Sequence, residues 1–393
     1  MMHIFVNALA ASAGGGLTYI RNVLPRMCRR SSLKITVAVS PQLRDELRPL
    51  DKVDFVELHA STLKRFWYEQ FSLPETIRKS GADVLLSTGN FALRKSPVPQ
   101  ILLSRNSLYV SSDFYRDLLQ RHEYRMWLDT HARATFAKSS IRWADVTVAP
   151  SRAFASELAR WSGREVLGIH HGFDYETFSS PSGALTNDTE AKLRATESSF
   201  KLLFVSHYNY YRNFETLLKS LPLLRARLNG RDFKLLLTCQ LAPGSRPGGY
   251  DPAQSAALVR ELGLKGAVVE LGPIPYQQLH RIYSRADVYV TPAYAETFAH
   301  PLVEAMASNL PVVASDLEVH REICGDAALY FPKFSPESMA NTLAQVLLNP
   351  NEAKQMSSRG LIRSRIFSWE NHVEEILQLS QSLIARGQTV AAE

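Results

Sequence analysis

The chain has 393 residues, which suffices for two or three domains, since a domain usually takes about 100–200 residues. Its composition is 45% hydrophobic and 21% charged, which is typical of a soluble globular protein and excludes a disordered or fibrous chain. The net charge of +7 is unevenly distributed. Residues 1–180 hold 24 Lys and Arg against 17 Asp and Glu, whereas residues 181–393 hold 21 of each.

The cysteines and the apolar runs indicate the compartment. Cys28, Cys239 and Cys324 lie far apart and follow no spacing typical of a disulfide framework or a zinc site. This pattern favours a reducing, cytoplasmic environment. No apolar run approaches the roughly 18–20 residues of a membrane-spanning helix, so we expect no crossing of the bilayer, while contact with a membrane surface stays open.

Apolar runs and helical patterns alternate through the first half of the chain. The N-terminal run lacks a preceding Lys or Arg and is interrupted by Asn7, which predicts a buried strand and not a secretion signal. Predicted strands lie at 3–9, 34–40, 83–89, 100–105 and 145–151, and predicted helices at about 16–29, 62–80, 115–143 and 152–162. Strands without strict polar alternation are typical of a parallel sheet covered on both faces.

The same alternation restarts in the second half, after a polar, linker-like stretch at 179–199. Predicted strands lie at 201–207, 233–240, 267–272, 287–292 and 311–315, and helical patterns follow at 350–366 and 369–387. We therefore expect an α/β protein of two doubly wound domains. Each should have a ligand crevice outside the carboxyl ends of its strands. The last helices, which have no strand after them, should pack back toward the first domain.

The segment 287–315, DVYVTPAYAETFAHPLVEAMASNLPVVAS, combines Glu296 and Glu304 with a proline and an apolar helical pattern. Pro301 suits the first turn of a helix, where its missing N–H costs nothing. The free N–H groups of that turn favour an anion. A glutamate beside them offers two acceptor oxygens, which suits the two hydroxyls of a ribose. The pattern indicates a nucleotide diphosphate, although a glutamate near a helix start also stabilises the helix dipole by itself.

This segment resembles a known signature. ETFAHPLVEAMASNLPVVAS at 296–315 is similar to the donor-binding motif of glycosyltransferase family 4, which comprises retaining enzymes of the GT-B fold. The resemblance rests on the two acids eight positions apart, on Phe298 and Pro301, and on the following PVVAS. Thr297 and Ala299 stand where the family has glycine. Because glycine tolerates a positive φ, we expect backbone strain at Thr297.

A second block, LLFVSHYNYYRNFETLLKSL at 202–221, resembles the strand, loop and helix that hold the donor diphosphate in this family. His207 stands at the position of the family's arginine and Arg212 at that of its lysine. The resemblance implies that both contact phosphate. Arg212 is permanently charged and can bind phosphate through two N–H groups. The alternative for Arg212 is a solvated arginine at a helix start.

The first half contains a glycine-rich turn, ASAGGGLTYIRNVL at 11–24, between a strand and a helix. It lacks GxGxxG, and no acid follows the second strand, so a dinucleotide site is disfavoured. In the resembling family this loop borders the acceptor and the donor phosphates, which implies that Gly15 and Gly16 approach an anion; a tight structural turn is the alternative. Asn106 stands where many members have a histidine near the donor sugar.

The resemblance also implies the arrangement of the domains. We expect two Rossmann-like domains that face a cleft, an acceptor-binding domain at 1–175 and a donor-binding domain at 176–368, with a C-terminal helix at 369–393 that packs back on the first. Trp369 is either a hinge anchor or a core aromatic. The implied catalytic residues are Glu296, Arg212 and His207; the donor-binding residues are Glu304, Phe298, Ala299, His300, Pro301 and Ile274; the acceptor and phosphate loop comprises Gly14, Gly15, Gly16 and Asn106.

The implied function is retaining transfer of a sugar from a nucleotide diphosphate sugar, with UDP or GDP, to a glycan or lipid-linked acceptor in surface polysaccharide or glycolipid synthesis. The donor is a co-substrate, and no further cofactor is expected. No Asp-x-Asp follows a strand, so we expect no metal. Two alternatives stay open: a GT-B sugar-nucleotide epimerase, and a non-catalytic protein that binds a sugar nucleotide or glycan.

A basic stretch at 114–143 suggests a further partner. Its cations alternate with apolar residues at near-helical spacing: Arg116, Arg121, Arg125, Arg133, Lys138 and Arg142. One basic amphipathic helix would lie on an anionic membrane, which predicts a cytoplasmic protein peripheral to the inner face of the membrane. The alternative is a helix packed on the sheet with a solvated charged face. Nucleic acid is not expected, because nothing resembles a base-reading module.

Overall fold

A computed structural model describes residues 1–11, 14–50, 52–59, 61–180, 182–242 and 244–392, without the side chains of residues 62, 63 and 387–392. The chain divides into two compact units. The first unit comprises Met1–Val110, Glu123–Gly172 and Ser368–Glu393, and the second comprises Ser111–His122 and Phe173–Phe367. The chain therefore leaves the first unit twice, once for a short excursion and once for the whole second unit.

The first unit is built on a parallel sheet. Over the described residues its seven strands are β1 (Met2–Asn7), β2 (Leu33–Val39), β3 (Val53–Glu57), β4 (Val84–Ser87), β5 (Gln100–Leu103), β6 (Val146–Ala149) and β7 (Leu167–Gly168). Their order is β3-β2-β1-β4-β5-β6-β7. The direction of winding reverses between β1 and β4, and open sheets of this type bind ligands outside the carboxyl ends of the strands at such a switch point.

The second unit repeats this plan with a six-stranded parallel sheet over the described residues. Its strands are β8 (Phe200–Phe204), β9 (Phe233–Leu237), β10 (Val268–Glu270), β11 (Val288–Thr291), β12 (Val312–Ser315) and β13 (Ala328–Phe331). The order is β10-β9-β8-β11-β12-β13, which places the switch point between β8 and β11. The expected fold class, with two doubly wound α/β units, is confirmed. The predicted strands all form, and β3, β7 and β13 are added to them.

Helices cover both sheets. In the first half they are α1 (Gly14–Cys28), α2 (Pro41–Glu46), α3 (Thr62–Trp67), α4 (Leu73–Ser80), α5 (Ser112–Gln120), α6 (Tyr124–Trp143), α7 (Arg152–Ser162) and α8 (Tyr175–Ser179). In the second half they are α9 (Asn187–Arg194), α10 (Phe214–Arg227), α11 (Ala253–Glu261), α12 (Tyr276–Tyr283), α13 (His300–Ala307), α14 (Glu318–Cys324), α15 (Pro336–Leu348), α16 (Pro350–Ser364) and α17 (Trp369–Ala392). Within the described ranges, no helix is both long enough and apolar enough to cross a bilayer.

The single basic helix expected over 115–143 is wrong. Two helices, α5 and α6, occupy this stretch, because His122 between them adopts a left-handed φ of 59° that a right-handed helix cannot continue. Helix α5 lies in the second unit, where Asp113 pairs with Lys333 and the Tyr294 hydroxyl donates a 2.7 Å hydrogen bond to Asp117. Helix α6 stays in the first unit, so the cations of this stretch are divided between the units.

The polar stretch at 179–199 is more than the linker that its composition suggests. It contains helix α9, which begins after Thr186, whose hydroxyl accepts a hydrogen bond from the Thr189 amide. Leu193 of α9 is buried. Pro181 lies outside the described residues.

The C-terminal helix α17 packs on the first unit, as expected, whereas α16 belongs to the second. His372 Nδ1 of α17 donates to the His170 carbonyl at 2.9 Å, so His372 Nε2 accepts from the Tyr19 hydroxyl of α1 at 3.0 Å. Trp369 is buried in the core of this unit, and a Cβ atom added to Gly172 would lie only 2.1 Å from the Trp369 backbone nitrogen. Gly172 is therefore required by the close approach of the two backbones.

Candidate functional site

Two loops meet at the switch point of the second sheet. One follows β8 and leads to α10, and the other follows β11 and leads to α13. The Tyr294 amide of the second loop donates a 3.0 Å hydrogen bond to the Tyr211 carbonyl of the first. Asn213, which has a left-handed φ of 57°, donates from its side chain to the Pro292 carbonyl at 3.1 Å. These bonds hold the two loops side by side at the carboxyl edge of the sheet.

A buried ion pair joins the same loops. The Arg212 guanidinium donates from Nη1 to Glu296 Oε2, and the two side chains are only 19% and 11% exposed. Burial alone would raise the pKa of Glu296, but Arg212, the Thr297 amide and His320 together hold this pKa below its ordinary value. The Glu296 carboxylate is therefore ionised at neutral pH.

Arg212 keeps hydrogen-bonding capacity after this pairing. A guanidinium carries five N–H donors in a fixed plane. Nη1 serves Glu296, while Nε is buried and has no hydrogen-bond partner among the described residues. The sequence predicts separate ligands for Arg212 and Glu296, and the structure adds a direct contact between the two side chains. An anion that reaches this guanidinium would meet N–H groups that the protein does not use.

Helix α13 begins beside this pair. Its N-cap residue is Ala299, with a left-handed backbone at φ 64° and ψ 61°, and Pro301 stands in the first turn. The expectation of strain at Thr297 is wrong, because Ala299 and not Thr297 has the positive φ. A left-handed residue is needed here to turn the chain from the loop into the helix. Alanine carries a Cβ atom that makes this conformation costly.

Glu304 lies one turn into α13 and is buried. The Tyr283 hydroxyl of α12 donates to Glu304 Oε2 at 2.8 Å. Burial raises the pKa of Glu304 to about 7, although this hydrogen bond acts in the opposite direction. Near pH 7 the neutral and the ionised forms of the Glu304 carboxyl group are therefore both populated.

The other residues predicted for the donor lie around the same edge with different exposure. His207 is exposed in the loop after β8, and its backbone carbonyl accepts from Ser206 Oγ at 2.6 Å. The Phe298 side chain is buried against the rings of His300 and Phe367, at centroid distances of 4.8 and 5.4 Å. Ile274 is half-buried and follows β10. In the sheet, β9 separates β10 from β8. Phe298 is therefore a core residue.

His320 is a residue of this site that the sequence analysis missed. It lies in α14, fully buried, with Nδ1 at 2.9 Å from the Ser315 carbonyl, so Nδ1 carries the proton. Its Nε2 is buried without a hydrogen-bond partner among the described residues. Burial lowers the pKa of His320, although Glu296 acts to raise it. A lone histidine in a helix belongs to no recognisable motif, so no sequence signal could have found it.

The glycine turn of the first unit lies after β1. Ser12 and Ala13 of this turn lie outside the described residues. Helix α1 begins at Gly14, whose φ of 57° favours glycine, and Gly15 and Gly16 form its first turn. Asn106 follows β5, and its side-chain oxygen accepts from the Leu108 amide at 3.0 Å. Asn106 therefore caps the short turn at Ser107–Tyr109.

In the described ranges, no three His, Cys, Asp or Glu side chains form a group that could hold a metal ion.

Residues 186–362 match the family model described as glycosyl transferases group 1. The match shows that this segment is similar to the group 1 glycosyl transferases. It contains Arg212, Glu296, Glu304 and His320, so the whole switch-point site of the second unit lies inside the matched region.

Curated relatives extend the match into the first unit. A D-inositol 3-phosphate glycosyltransferase of Corynebacterium urealyticum is 25% identical over 287 residues, which are 72% of this chain and 65% of the relative. The O-antigen chain mannosyltransferase B of Escherichia coli is 32% identical over 107 residues, which are 27% and 28% of the two chains. The chain thus spans 65% or less of the length of these two relatives.

Solved structures share the fold over nearly the whole chain. The sucrose-phosphate synthase of Thermosynechococcus elongatus gives a TM-score of 0.74 at 20% identity, covering 98% of this chain and 100% of that one. HepE of Anabaena, solved with UDP and glucose, gives a TM-score of 0.69 at 17% identity, with the same coverage. At this level of identity the likeness concerns the fold alone.

Proposed function

We propose that the chain is a retaining glycosyltransferase that moves a sugar from a nucleotide diphosphate sugar to a hydroxyl group of a glycan or lipid-linked acceptor, in surface polysaccharide or glycolipid synthesis. One observation carries the proposal: the loops at the switch point of the second sheet bring Arg212, Glu296 and the start of α13 together. The glycosyltransferase names of the relatives and the UDP and UDP-glucose bound by HepE support a nucleotide sugar as donor.

The donor diphosphate contacts the free N–H groups of Arg212 and the backbone N–H groups that begin α13. The guanidinium carries a full positive charge and the helix start a partial one. Neither has to reorganise when the diphosphate becomes more negative as it leaves. His207 is exposed in the same loop and is the second phosphate contact. Glu304 accepts hydrogen bonds from the ribose hydroxyls, and Glu296 from hydroxyls of the donor sugar.

In the transfer step the bond between the anomeric carbon and the diphosphate oxygen breaks, and a bond from the acceptor oxygen to that carbon forms on the same face. The proton of the acceptor hydroxyl passes to an oxygen of the departing diphosphate. No side chain is needed as a base. Arg212 and the start of α13 lower the barrier because the charge that they stabilise is largest when the diphosphate leaves.

Two further parts of the proposal concern the first unit and metal ions. The acceptor lies on the first unit near Gly14, Gly15 and Gly16, at the switch point of that sheet, next to the turn that Asn106 caps. The reaction proceeds without a divalent metal, because Arg212 and the helix start supply the charge that a metal ion would supply elsewhere.

The proposal includes contact of the cytoplasmic protein with an anionic membrane through the first unit. Trp67 and Phe71 are 60% and 67% exposed and stack on each other at 4.8 Å. Next to them Phe66 packs on Phe136 of α6 at 5.1 Å. We call the exposed aromatic pair and the basic residues of α6, Arg125, Arg133 and Arg142, the α3–α6 surface. It combines apolar rings with cations, which suits the headgroup region of an anionic bilayer.

A transfer assay with radiolabelled UDP-, GDP-, ADP- and TDP-sugars tests the proposed function. Labelled glycan or lipid product is expected with one donor, together with a loss of activity in Arg212→Gln. Arg260→Gln serves as the matched control, because Arg260 is exposed on α11 of the same unit. An epimerised donor, released nucleotide without any product, or no turnover of any donor contradicts the proposal.

A further inference from the structure

Arg105 occupies the switch point of the first sheet. It follows β5, and its backbone amide donates to Asn90 Oδ1 at 2.6 Å. Its side chain donates from Nη1 to the Gly15 carbonyl at 2.7 Å and from Nη2 to the Thr88 carbonyl at 2.5 Å. Gly15 lies in the first turn of α1, which follows β1, and Thr88 follows β4. The guanidinium thus bridges the loops between which the winding reverses.

This guanidinium has no counter-ion in the part of the chain that the structure describes. Among the described residues, no carboxylate forms an ion pair with Arg105, and Nε is buried without a hydrogen-bond partner. Burial lowers the pKa of Arg105 to about 10. Buried arginines are normally paired, since an isolated charge is costly away from water. A cation left in this state at a ligand-binding edge is a candidate for pairing with a ligand.

The surroundings reinforce the positive charge. The amino end of α1 directs its helix dipole toward the same place. The Tyr19 ring lies 5.2 Å from the guanidinium carbon, and its hydroxyl is occupied as a donor to His372, so it contributes no negative charge. A Cβ atom added to Gly15 would meet nothing within 4 Å, and one added to Gly16 would lie 3.4 Å from Arg105 Nη2. The glycines therefore keep open space and allow close approach beside the cation.

A hydrogen-bonded chain leads from Arg105 to an acid. The Thr88 hydroxyl donates to the Asn7 carbonyl at 2.8 Å, and Asn7 Nδ2 donates to Glu69 Oε1 at 3.0 Å. Glu69 has Arg65 nearby, at 3.9 Å between Oε2 and Nε. The carboxyl group of Glu69 is an acceptor for hydroxyl groups at the same edge of the sheet. The first unit thus offers an anion contact after β5 and, between α3 and α4, a carboxyl group that can accept from a hydroxyl.

We propose that Arg105 binds an oxyanion of the acceptor, so that the acceptor is a phosphorylated or carboxylated compound with hydroxyl groups. The planar N–H groups of a guanidinium match the oxygens of a phosphate or carboxylate, whereas a lysine would offer only a point charge. That the bound oxyanion belongs to the acceptor rests on the proposed function. The anion site itself does not, because it is defined by contacts within the first unit.

Thermal unfolding with added inorganic phosphate or acetate, compared with chloride at equal ionic strength, tests the site. A nucleoside diphosphate that the chain binds is present at saturation, so that the second unit is filled. Phosphate, acetate or both should raise the Tm of the wild type, and which of them acts identifies the oxyanion. Arg105→Gln should weaken the apparent affinity at least tenfold, and Arg105→Lys, which keeps the charge, several-fold.

The matched control is Arg29→Gln, since Arg29 is exposed after α1 in the same unit and carries the same charge. It should respond like the wild type. The readout is the change in Tm on adding the anion, so a lower starting Tm of a variant does not obscure it. Equal responses of all four proteins, or a wild-type response equal to that with chloride, overturns the proposal. If no nucleoside diphosphate binds, the same measurement is made without one, and an intact Arg105-dependent response then contradicts only the proposed function.

Discussion

Arg212 and Glu296 are 84 positions apart and form a buried ion pair that fastens the loop after β8 to the loop after β11. The pair has two consequences. It fixes the direction of the guanidinium, whose Nε stays without a partner among the described residues. It also makes each side chain depend on the other, because removal of one leaves a buried, uncompensated charge. Stability and function must therefore be measured separately at this site.

The first prediction uses this dependence. Arg212→Gln should lower kcat by roughly 10²–10³, because it removes a group that stabilises the leaving diphosphate, and should cost about 3–5 kcal/mol of stability. The double variant Arg212→Gln, Glu296→Gln should regain much of the stability, since no charge is left buried, but none of the activity. Urea unfolding and initial rates on all four members of the cycle measure both effects. Recovery of activity in the double variant would show that the pair is purely structural.

The second prediction concerns pH. The pKa of Glu304 is about 7 in the folded chain against 4.5 ordinarily. Between these values the folded chain holds a proton that the unfolded chain has lost, so stability is highest below the lower value and falls as pH rises through 7. Since one pKa unit corresponds to about 1.4 kcal/mol, the loss amounts to roughly 3 kcal/mol, and Glu304→Gln should remove it. The variant should match the wild type near pH 5 and exceed it at pH 8.

Thermal and urea unfolding of the nucleotide-free protein across this pH range checks the Glu304 prediction. Glu261→Gln is the matched control, because Glu261 is exposed on the surface of the same unit and should leave the pH dependence unchanged. If the wild type and Glu304→Gln keep a constant difference from pH 5 to pH 8, Glu304 does not titrate as described.

The third prediction concerns the backbone. Ala299→Gly should raise the free energy of unfolding by about 0.5–1 kcal/mol, because glycine adopts the observed positive φ without a Cβ clash while losing more entropy on folding. Thr297→Gly should lower it by a similar amount, since Thr297 has no positive φ to relieve. Urea unfolding midpoints measure both. Equal effects of the two substitutions would mean that Ala299 carries no strain.

The regular elements could be predicted because they leave a local signal. Buried parallel strands are continuous apolar runs, and every strand predicted from such a run forms. The break between α5 and α6 leaves no such signal, since the residues 121–123 contain neither glycine nor proline. Arg121 at this break pairs with Asp117 and with Glu215, and the second of these is 94 positions away. A boundary that depends on distant partners cannot be derived from local composition.

The site shows the same limit. The spacing in the sequence places Glu296 in a loop and Glu304 in the helix that follows it. It does not show that Arg212 pairs with Glu296 or that Tyr283 binds Glu304. The positions of the family's glycines predict backbone strain at Thr297, whereas the torsion angles place the left-handed residue at Ala299. Arg105 is a single arginine after a strand, and only the three-dimensional structure shows that no described carboxylate pairs with it.

The fourth prediction addresses the α3–α6 surface. The protein should co-sediment with anionic vesicles at low salt, and binding should weaken at physiological salt because the attraction is screened. Arg125→Glu with Arg133→Glu, and separately Trp67→Ser with Phe71→Ser, should each reduce binding several-fold. Arg29→Glu, at an exposed position outside this surface, is the control for charge. Equal recovery in the supernatant with neutral and anionic vesicles at low salt would rule out the membrane contact.

The fifth prediction concerns metal ions. Since Arg212, His207 and the start of α13 meet the charge of the diphosphate, excess EDTA should leave the initial rate of transfer nearly unchanged. Rates before and after EDTA treatment, and after addition of Mg²⁺ or Mn²⁺, measure this. Loss of activity with EDTA and its rescue by either ion would show that the phosphate charge is met by a metal.

Binding of nucleoside diphosphates to the second unit tests the central claim most directly. Isothermal titration of UDP, GDP, ADP and TDP should give one-to-one binding for at least one of them. Arg212→Gln and Glu304→Gln should each weaken that binding about tenfold or more, through phosphate and ribose respectively, while Arg260→Gln binds like the wild type. Absence of binding for all four nucleotides, or equal affinities of the wild type and Arg212→Gln, would contradict the account.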